Sequence, residues 1–304
     1  GAPKPDSVRA RSARVLEHEY HELGDARRES QVLSILMESE EDRVRRLELH
    51  TKLADVEDKQ LSAPGTAFAT ILRALNEFPD EIALWDRAAE LGVKAGRPTD
   101  LAEAYRAHVV TVDPDAERRI SRETELLLCE RAATLHDEQL GDADGAMPYL
   151  KRILAMEPSS DKAFERLKQI LTGSEKWSEL EELFEQAAQT ATDQTQKVQL
   201  LGEVAMVAEE IMGDPSKAIR YHERILQIDP LHVPSLDTLE KLYEDEERFE
   251  ELGKLLEKRL ETGIDDEAVD IRLYLGRLYF ERLERPEAAL VKCEEILRAR
   301  PEDP

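Results

Sequence analysis

The chain has 304 residues, a formal net charge of −25, 36% charged and only 5% aromatic residues. Phosphate backbones and anionic membrane surfaces repel so acidic a protein, which excludes nucleic acid as a partner and leaves Lys/Arg-rich peptides or proteins as its natural complement. No apolar run of 18 residues exists to span a membrane, and 41% hydrophobic residues suffice to bury a core despite the charge.

Leu, Ala, Glu and Arg dominate, which is helix-forming chemistry with little strand preference. Residues 1–7, opening Gly1-Ala2-Pro3-Lys4 without a methionine, read as a disordered tail or as residues foreign to the native chain. A first hairpin of helices is expected over about residues 8–40, from Leu16, Tyr20 and Leu23 and then Val32, Leu33 and Leu36. Further hairpins follow over about 45–79, 80–114, 120–158, 159–192, 196–230, 231–264 and 267–301. Residues 302–304 read as a tail or the start of a following repeat, so a fragment of a longer protein is expected.

The clearest phrase runs from Val198. Leu200, Leu201, Val204, Ala205, Val207 and Ala208 form one apolar stripe at helical spacing. Gly213 suits a left-handed helix end, Asp214 a cap for the next helix and Pro215 its first turn. Ala218, Tyr221, Ile225 and Leu226 then carry a second helix that stops at Asp229-Pro230.

Four prolines repeat this phrase like a ruler: Pro79, Pro158, Pro230 and Pro301, spaced 79, 72 and 71 residues apart. An alanine lies twelve residues before each, at Ala67, Ala146, Ala218 and Ala289. A large apolar residue lies six after the first three, at Trp85, Phe164 and Leu236. A fixed period marks a stack of one supersecondary unit. Each phrase of about 72 residues is two hairpins of about 36, with small residues where helices cross and a proline closing the pair.

That hairpin resembles the tetratricopeptide repeat. The positions at which the family prefers Gly/Ala, Ala and Pro fall on Ala54, Ala67 and Pro79; on Ala133, Ala146 and Pro158; on Ala205, Ala218 and Pro230; and on Gly276, Ala289 and Pro301. These even-numbered hairpins carry one extra residue between their two small positions. The odd hairpins are degenerate, with Leu101, Leu180 and Leu252 in place of the second alanine. The resemblance implies an all-α fold, a right-handed α-solenoid of about eight antiparallel hairpins whose first helices line a concave groove.

The family's groove position falls on Thr51, Asp86, Glu130, Glu165, Gly202, Asp237 and Leu273, four acids and no base. Neighbouring positions add Asp55, Asp58, Glu90, Asp137, Glu138, Glu209, Glu210 and Glu281, against Lys59, Lys94, Lys162 and Arg277. The Lys/Asn carboxylate clamp of chaperone-binding relatives is absent, so the expected ligand is a basic segment along an acidic groove. The alternative is an architectural spacer with no groove ligand. The open apolar pattern of Leu290, Ile296 and Leu297 adds an expectation of end-to-end self-association.

Enzymatic chemistry finds little support, and no cofactor or metal is expected. His18 and His21 sit three apart among Glu17, Glu19 and Glu22, which reads as a solvated face and lacks zincin spacing. No phosphate loop, nucleophile elbow or Cys-x-x-Cys occurs. Cys129 and Cys293, far apart in apolar helical patterns, read as buried free thiols, in keeping with a cytoplasmic site; a periplasmic or secreted one stays open. The excess of arginine over lysine hints at a bacterial source.

Overall fold

The computed structural model describes residues 7–111, 120–262 and 268–299. Among these residues sixteen α-helices pair into eight antiparallel hairpins, with no strand. They are α1 (Val8–Glu22) with α2 (Ala26–Ser39), α3 (Arg43–Asp55) with α4 (Pro64–Glu77), and α5 (Ile82–Lys94) with α6 (Pro98–Val109). Next come α7 (Arg122–Leu135) with α8 (Ala143–Met156), α9 (Asp161–Gly173) with α10 (Trp177–Thr190), and α11 (Gln194–Met206) with α12 (Pro215–Ile228). The last two are α13 (Val233–Asp245) with α14 (Phe249–Thr262), and α15 (Ala268–Glu281) with α16 (Pro286–Ala299). The chain clusters into two compact units, Gly1–Ile170 and Leu171–Pro304. Pro301 lies outside the described residues.

Local chemistry sets the helix ends. Asp25, Asp42, Ser121, Asp142, Asp193 and Asp214 each accept a hydrogen bond from a first-turn N–H of the helix that follows. All eight hairpin turns contain one left-handed residue: Gly24, Ser62, Gly96, Gly141, Glu175, Gly213, Glu247 and Glu284, with φ between 51° and 65°. Glycine takes this conformation freely; the other four positions hold it against a steric penalty.

The extra residue of the even hairpins has a structural cause. α3, α7 and α11 each run on into a π-helical turn, Val56–Gln60, His136–Leu140 and Val207–Ile211. There the Leu61 and Met212 N–H groups reach five residues back, to Val56 and Val207 (both 3.0 Å), and those of Ala63 and Asp214 six back, to Glu57 and Ala208 (both 2.8 Å). The end of α15 closes the same way, with Leu283 bonded to Leu278 at 3.1 Å and Arg285 to Tyr279 at 2.7 Å. A π turn takes up one residue more than an α turn while the helix keeps its direction. The odd hairpins lack the six-back bond among the described residues and close on five-back bonds, such as Arg97 to Gly92 at 2.8 Å.

Small residues then let the paired helices approach. Ala54, Ala67, Ala146, Ala205 and Ala218 are fully buried, and Ala133, Gly276 and Ala289 nearly so. A Cβ added to Gly276 on α15 would lie 3.8 Å from the Ala289 carbonyl oxygen of α16, so the two backbones nearly touch. Larger side chains fill the space between hairpins. In the first unit Ala13, Val32, Leu33, Leu36, Leu49 and Leu53 join hairpins one and two in one cluster. Trp85 is sealed from solvent, stacks on Tyr105 at 5.0 Å, and donates its indole N–H to the Pro79 carbonyl at 2.9 Å. Pro79 is buried, whereas Pro158 and Pro230 are exposed. In the second unit Leu180, Phe184, Val204, Ile219, Ile225 and Leu252 form the interior.

One expectation about burial fails. Cys129 is buried, and burial pushes its thiol up to about 12, but Cys293 is exposed. Its Sγ lies at the edge of the α15–α16 contact, 3.9 Å from where a Cβ on Gly276 would stand. His18 and His21 belong to no group of three or more His, Cys, Asp or Glu suited to a metal, and none exists among the described residues. His21 instead hydrogen-bonds the buried Glu29 at 2.9 Å.

Candidate functional site

The first helix of each hairpin carries the acids singled out above, and four of them, Asp55, Asp58, Asp86 and Asp137, are engaged from the next hairpin. In the first unit Arg87 on α5 reaches back to Asp55 (3.0 Å) and Asp58 (2.8 Å) at the end of α3, and forward to Glu90 (2.6 Å). Lys94 adds a second cation to Asp58 at 3.0 Å, and Lys59 one to Asp55 at 3.0 Å. Arg131 on α7 reaches Asp86 on α5 at 2.7 Å, and Arg166 on α9 takes Asp137 at 2.8 and 2.5 Å. Glu165 has Lys168 at 3.7 Å. In the second unit Arg259 bridges Asp237 (3.0 Å) and Glu240 (2.7 Å).

Two of these pairs are one device used twice. Asp58 and Asp137 hold the same register, 79 residues apart, and so do Arg87 and Arg166. The cations from Lys94 and Arg87 hold the buried Asp58 carboxyl below its ordinary range. Asp58 is therefore a clamp between repeats, walled off from any ligand. The next copy of the device is broken: Glu209 stands where Asp137 does, but Thr238 replaces the arginine, 72 residues on in each case. Glu209, Glu130 and Arg277 form no ion pair with another described residue. Sequence spacing places the acids on first helices but gives no sign of which ones a neighbouring hairpin neutralises.

A cleft of about 460 Å³ opens on the same face of the first unit, between α5 and α7. Val93, Leu101, Tyr105 and Leu135 make its apolar floor; Glu130, Lys162 and the Asp86–Arg131 pair line its rim. Val93 is 60% exposed. Burial pushes the Tyr105 hydroxyl up to about 12, so it stays a neutral donor here at physiological pH. Apolar floor and charged rim suit a side chain from an incoming peptide. Nothing in the arrangement provides a nucleophile beside a base. A smaller cleft of about 250 Å³ lies in the second unit against Leu226, Leu239, Tyr243 and Leu255, edged by Lys254 and Lys258.

Solved structures similar to this chain include tetratricopeptide repeat proteins, at low identity. YrrB, described as a tetratricopeptide repeat protein with an unusual peptide-binding site, is 16% identical, with 60% of this chain and 89% of that one covered at a TM-score of 0.32. A tetratricopeptide repeat protein from Parabacteroides merdae is 14% identical, with 93% and 100% covered at 0.31. The Naa15/Naa10 complex bound to HypK-THB is 15% identical; 98% of this chain matches 43% of that one, at 0.38. No family model and no curated protein matches the sequence. What makes this chain tetratricopeptide-like is its own architecture: eight helix hairpins, with small residues at the crossings of the even ones.

Proposed function

We propose that this chain is a protein-interaction scaffold whose first-helix face holds a Lys/Arg-rich segment of a partner, and whose copies associate end to end. The observation that carries the groove reading is the cleft beside Glu130: an open apolar floor with an unneutralised carboxylate at its rim, in a protein of net charge −25. The ligand this chemistry selects has one apolar side chain to cover Val93 and a neighbouring lysine or arginine to meet Glu130. Glu209, left free by Thr238, supplies a second anionic point in the other unit. Asp55, Asp58, Asp86, Glu90, Asp137, Glu165 and Asp237 act differently. Each already has a basic neighbour, so they contribute to the field around the face more than to contacts. Long-range attraction of this kind speeds encounter and fades with salt.

Fluorescence anisotropy with labelled peptides tests this. A Lys/Arg-rich peptide with a central leucine should bind, lose affinity steeply from low to physiological salt, and lose about tenfold on Glu130→Lys or Val93→Asp. Reversing Asp58, which already has two internal cations, should unfold the clamp and give no selective loss of ligand. A peptide series that binds equally well to both groove variants and at every salt concentration would refute the acidic-groove reading. No binding at all would leave the face as a spacer surface.

A further inference from the structure

A buried hydroxyl needs a hydrogen-bond partner. Among the described residues four tyrosines are buried: Tyr105, Tyr149, Tyr221 and Tyr243. Three of them use acceptors within the chain. Tyr221 donates to Glu181 at 2.6 Å and Tyr243 to Glu223 at 2.7 Å, and Tyr149 reaches the Ala102 carbonyl at 3.5 Å. Tyr105 is 2% exposed, yet its hydroxyl forms no hydrogen bond with another described residue. Asp86, the nearby carboxylate, already accepts from Arg131 at 2.7 Å.

Packing does not call for that hydroxyl. Leu33 on α2, Phe184 on α10 and Leu256 on α14 hold the register of Tyr105 in the three other odd hairpins, and they are 0, 2 and 0% exposed. An apolar side chain fills the position in each of them. The hydroxyl stands in the hairpin that borders the cleft of about 460 Å³, whose floor Tyr105 shares with Val93, Leu101 and Leu135. Gln139 lines the same cleft, exposed and without a side-chain hydrogen bond to another described residue. The charges of the cleft, Asp86, Glu130, Arg131 and Lys162, stand at its rim.

We propose that Tyr105 reads one side chain of the bound segment: a glutamine reaches past the rim on its apolar stem, accepts the Tyr105 hydroxyl on its amide oxygen and donates an N–H to Gln139. This rests on the basic-segment reading above and adds a specificity-determining residue to it. The peptide backbone passes at the charged rim, so the acceptor that meets the floor belongs to a side chain. A carboxylate there would meet Asp86 and Glu130 in a protein of net charge −25. An aliphatic side chain would strip water from the hydroxyl and return no bond. Burial, which pushes the hydroxyl up to about 12, keeps its proton in place for donation at physiological pH. One placed polar group on an apolar floor is how such clefts fix the orientation of what enters.

A glutamine scan read by fluorescence anisotropy tests it on the whole chain. Every position of the leucine-centred Lys/Arg-rich peptide except the leucine is replaced in turn by glutamine and by norleucine, an apolar side chain of similar length. At one position at least, glutamine should bind the wild-type chain about tenfold tighter than norleucine. Tyr105→Phe, whose ring keeps its stack on Trp85, should abolish that preference. It should leave the melting temperature unchanged or raised, because no bond within the chain is lost. A lowered melting temperature would put the partner of the hydroxyl inside the protein and overturn the inference. So would a scan without a glutamine preference, a preference that survives Tyr105→Phe, or a glutamate that outbinds glutamine at the preferred position. In each of these cases the groove reading stands if the parent peptide still loses affinity on Glu130→Lys. A parent peptide that does not bind at all would overturn both.

Discussion

Three turns of the second unit hold a glutamate in the left-handed region: Glu175 (φ 55°), Glu247 (φ 55°) and Glu284 (φ 52°). Their side chains are exposed and form no ion pair with another described residue, so replacement removes no such contact. An L-residue in this region costs about 1–2 kcal/mol. Glycine escapes that cost but loses about 0.5–1 kcal/mol through the greater freedom of its unfolded chain. The difference leaves each Glu→Gly stabilising by about 0.5–1 kcal/mol, helped by removal of a negative charge from a helix C-terminus. The sites are far apart in the chain and share no partner, so the triple variant should gain about 2 kcal/mol. The converse is Gly213→Ala. No atom lies within 4 Å of the added Cβ, so its cost of about 1 kcal/mol would be conformational alone. Guanidinium midpoints followed by circular dichroism at constant slope would read both. If Glu175→Gly lowers the midpoint, or Gly213→Ala leaves it unchanged, the hairpin turns are not closed by left-handed residues and the reasoning fails.

Ala218→Leu would force three extra heavy atoms into a fully buried helix crossing and should cost about 1–3 kcal/mol, while Arg220→Leu on the exposed side of the same helix should be nearly neutral; equal melting temperatures would contradict the crossing. His50 is buried with both ring nitrogens unbonded, beside Glu77 at 3.7 Å and near Arg46 and Arg73. Burial lowers its pKa below 6.5, so as pH falls through that value the unfolded chain takes up the proton first and stability drops. His50→Leu should flatten this part of the pH–stability curve, and an unchanged slope would show that His50 is not its source.

Sequence alone determined the elements. Caps such as Asp214, turn glycines such as Gly213, the crossing alanines and the one-residue excess of the even hairpins are local signals, each acting within a single hairpin, and they suffice to call an all-α repeat array. The π turns give that excess its form, and the unpatterned glutamates at left-handed positions show that a turn can be held by the helices on either side without the residue that suits it best. Which acids face a ligand was decided only by tertiary structure. Asp58 and Glu209 are alike in register, yet Arg87 buries one and Thr238 leaves the other free. Leu290 and Cys293 follow the pattern of interior residues, yet both are exposed, whereas Phe68 at the register of Leu290 is sealed by α5 of the next hairpin. Helix formation depends on neighbours three and four residues away, whereas charge pairing and burial across repeats depend on side chains about thirty residues away, brought close only when the hairpins stack.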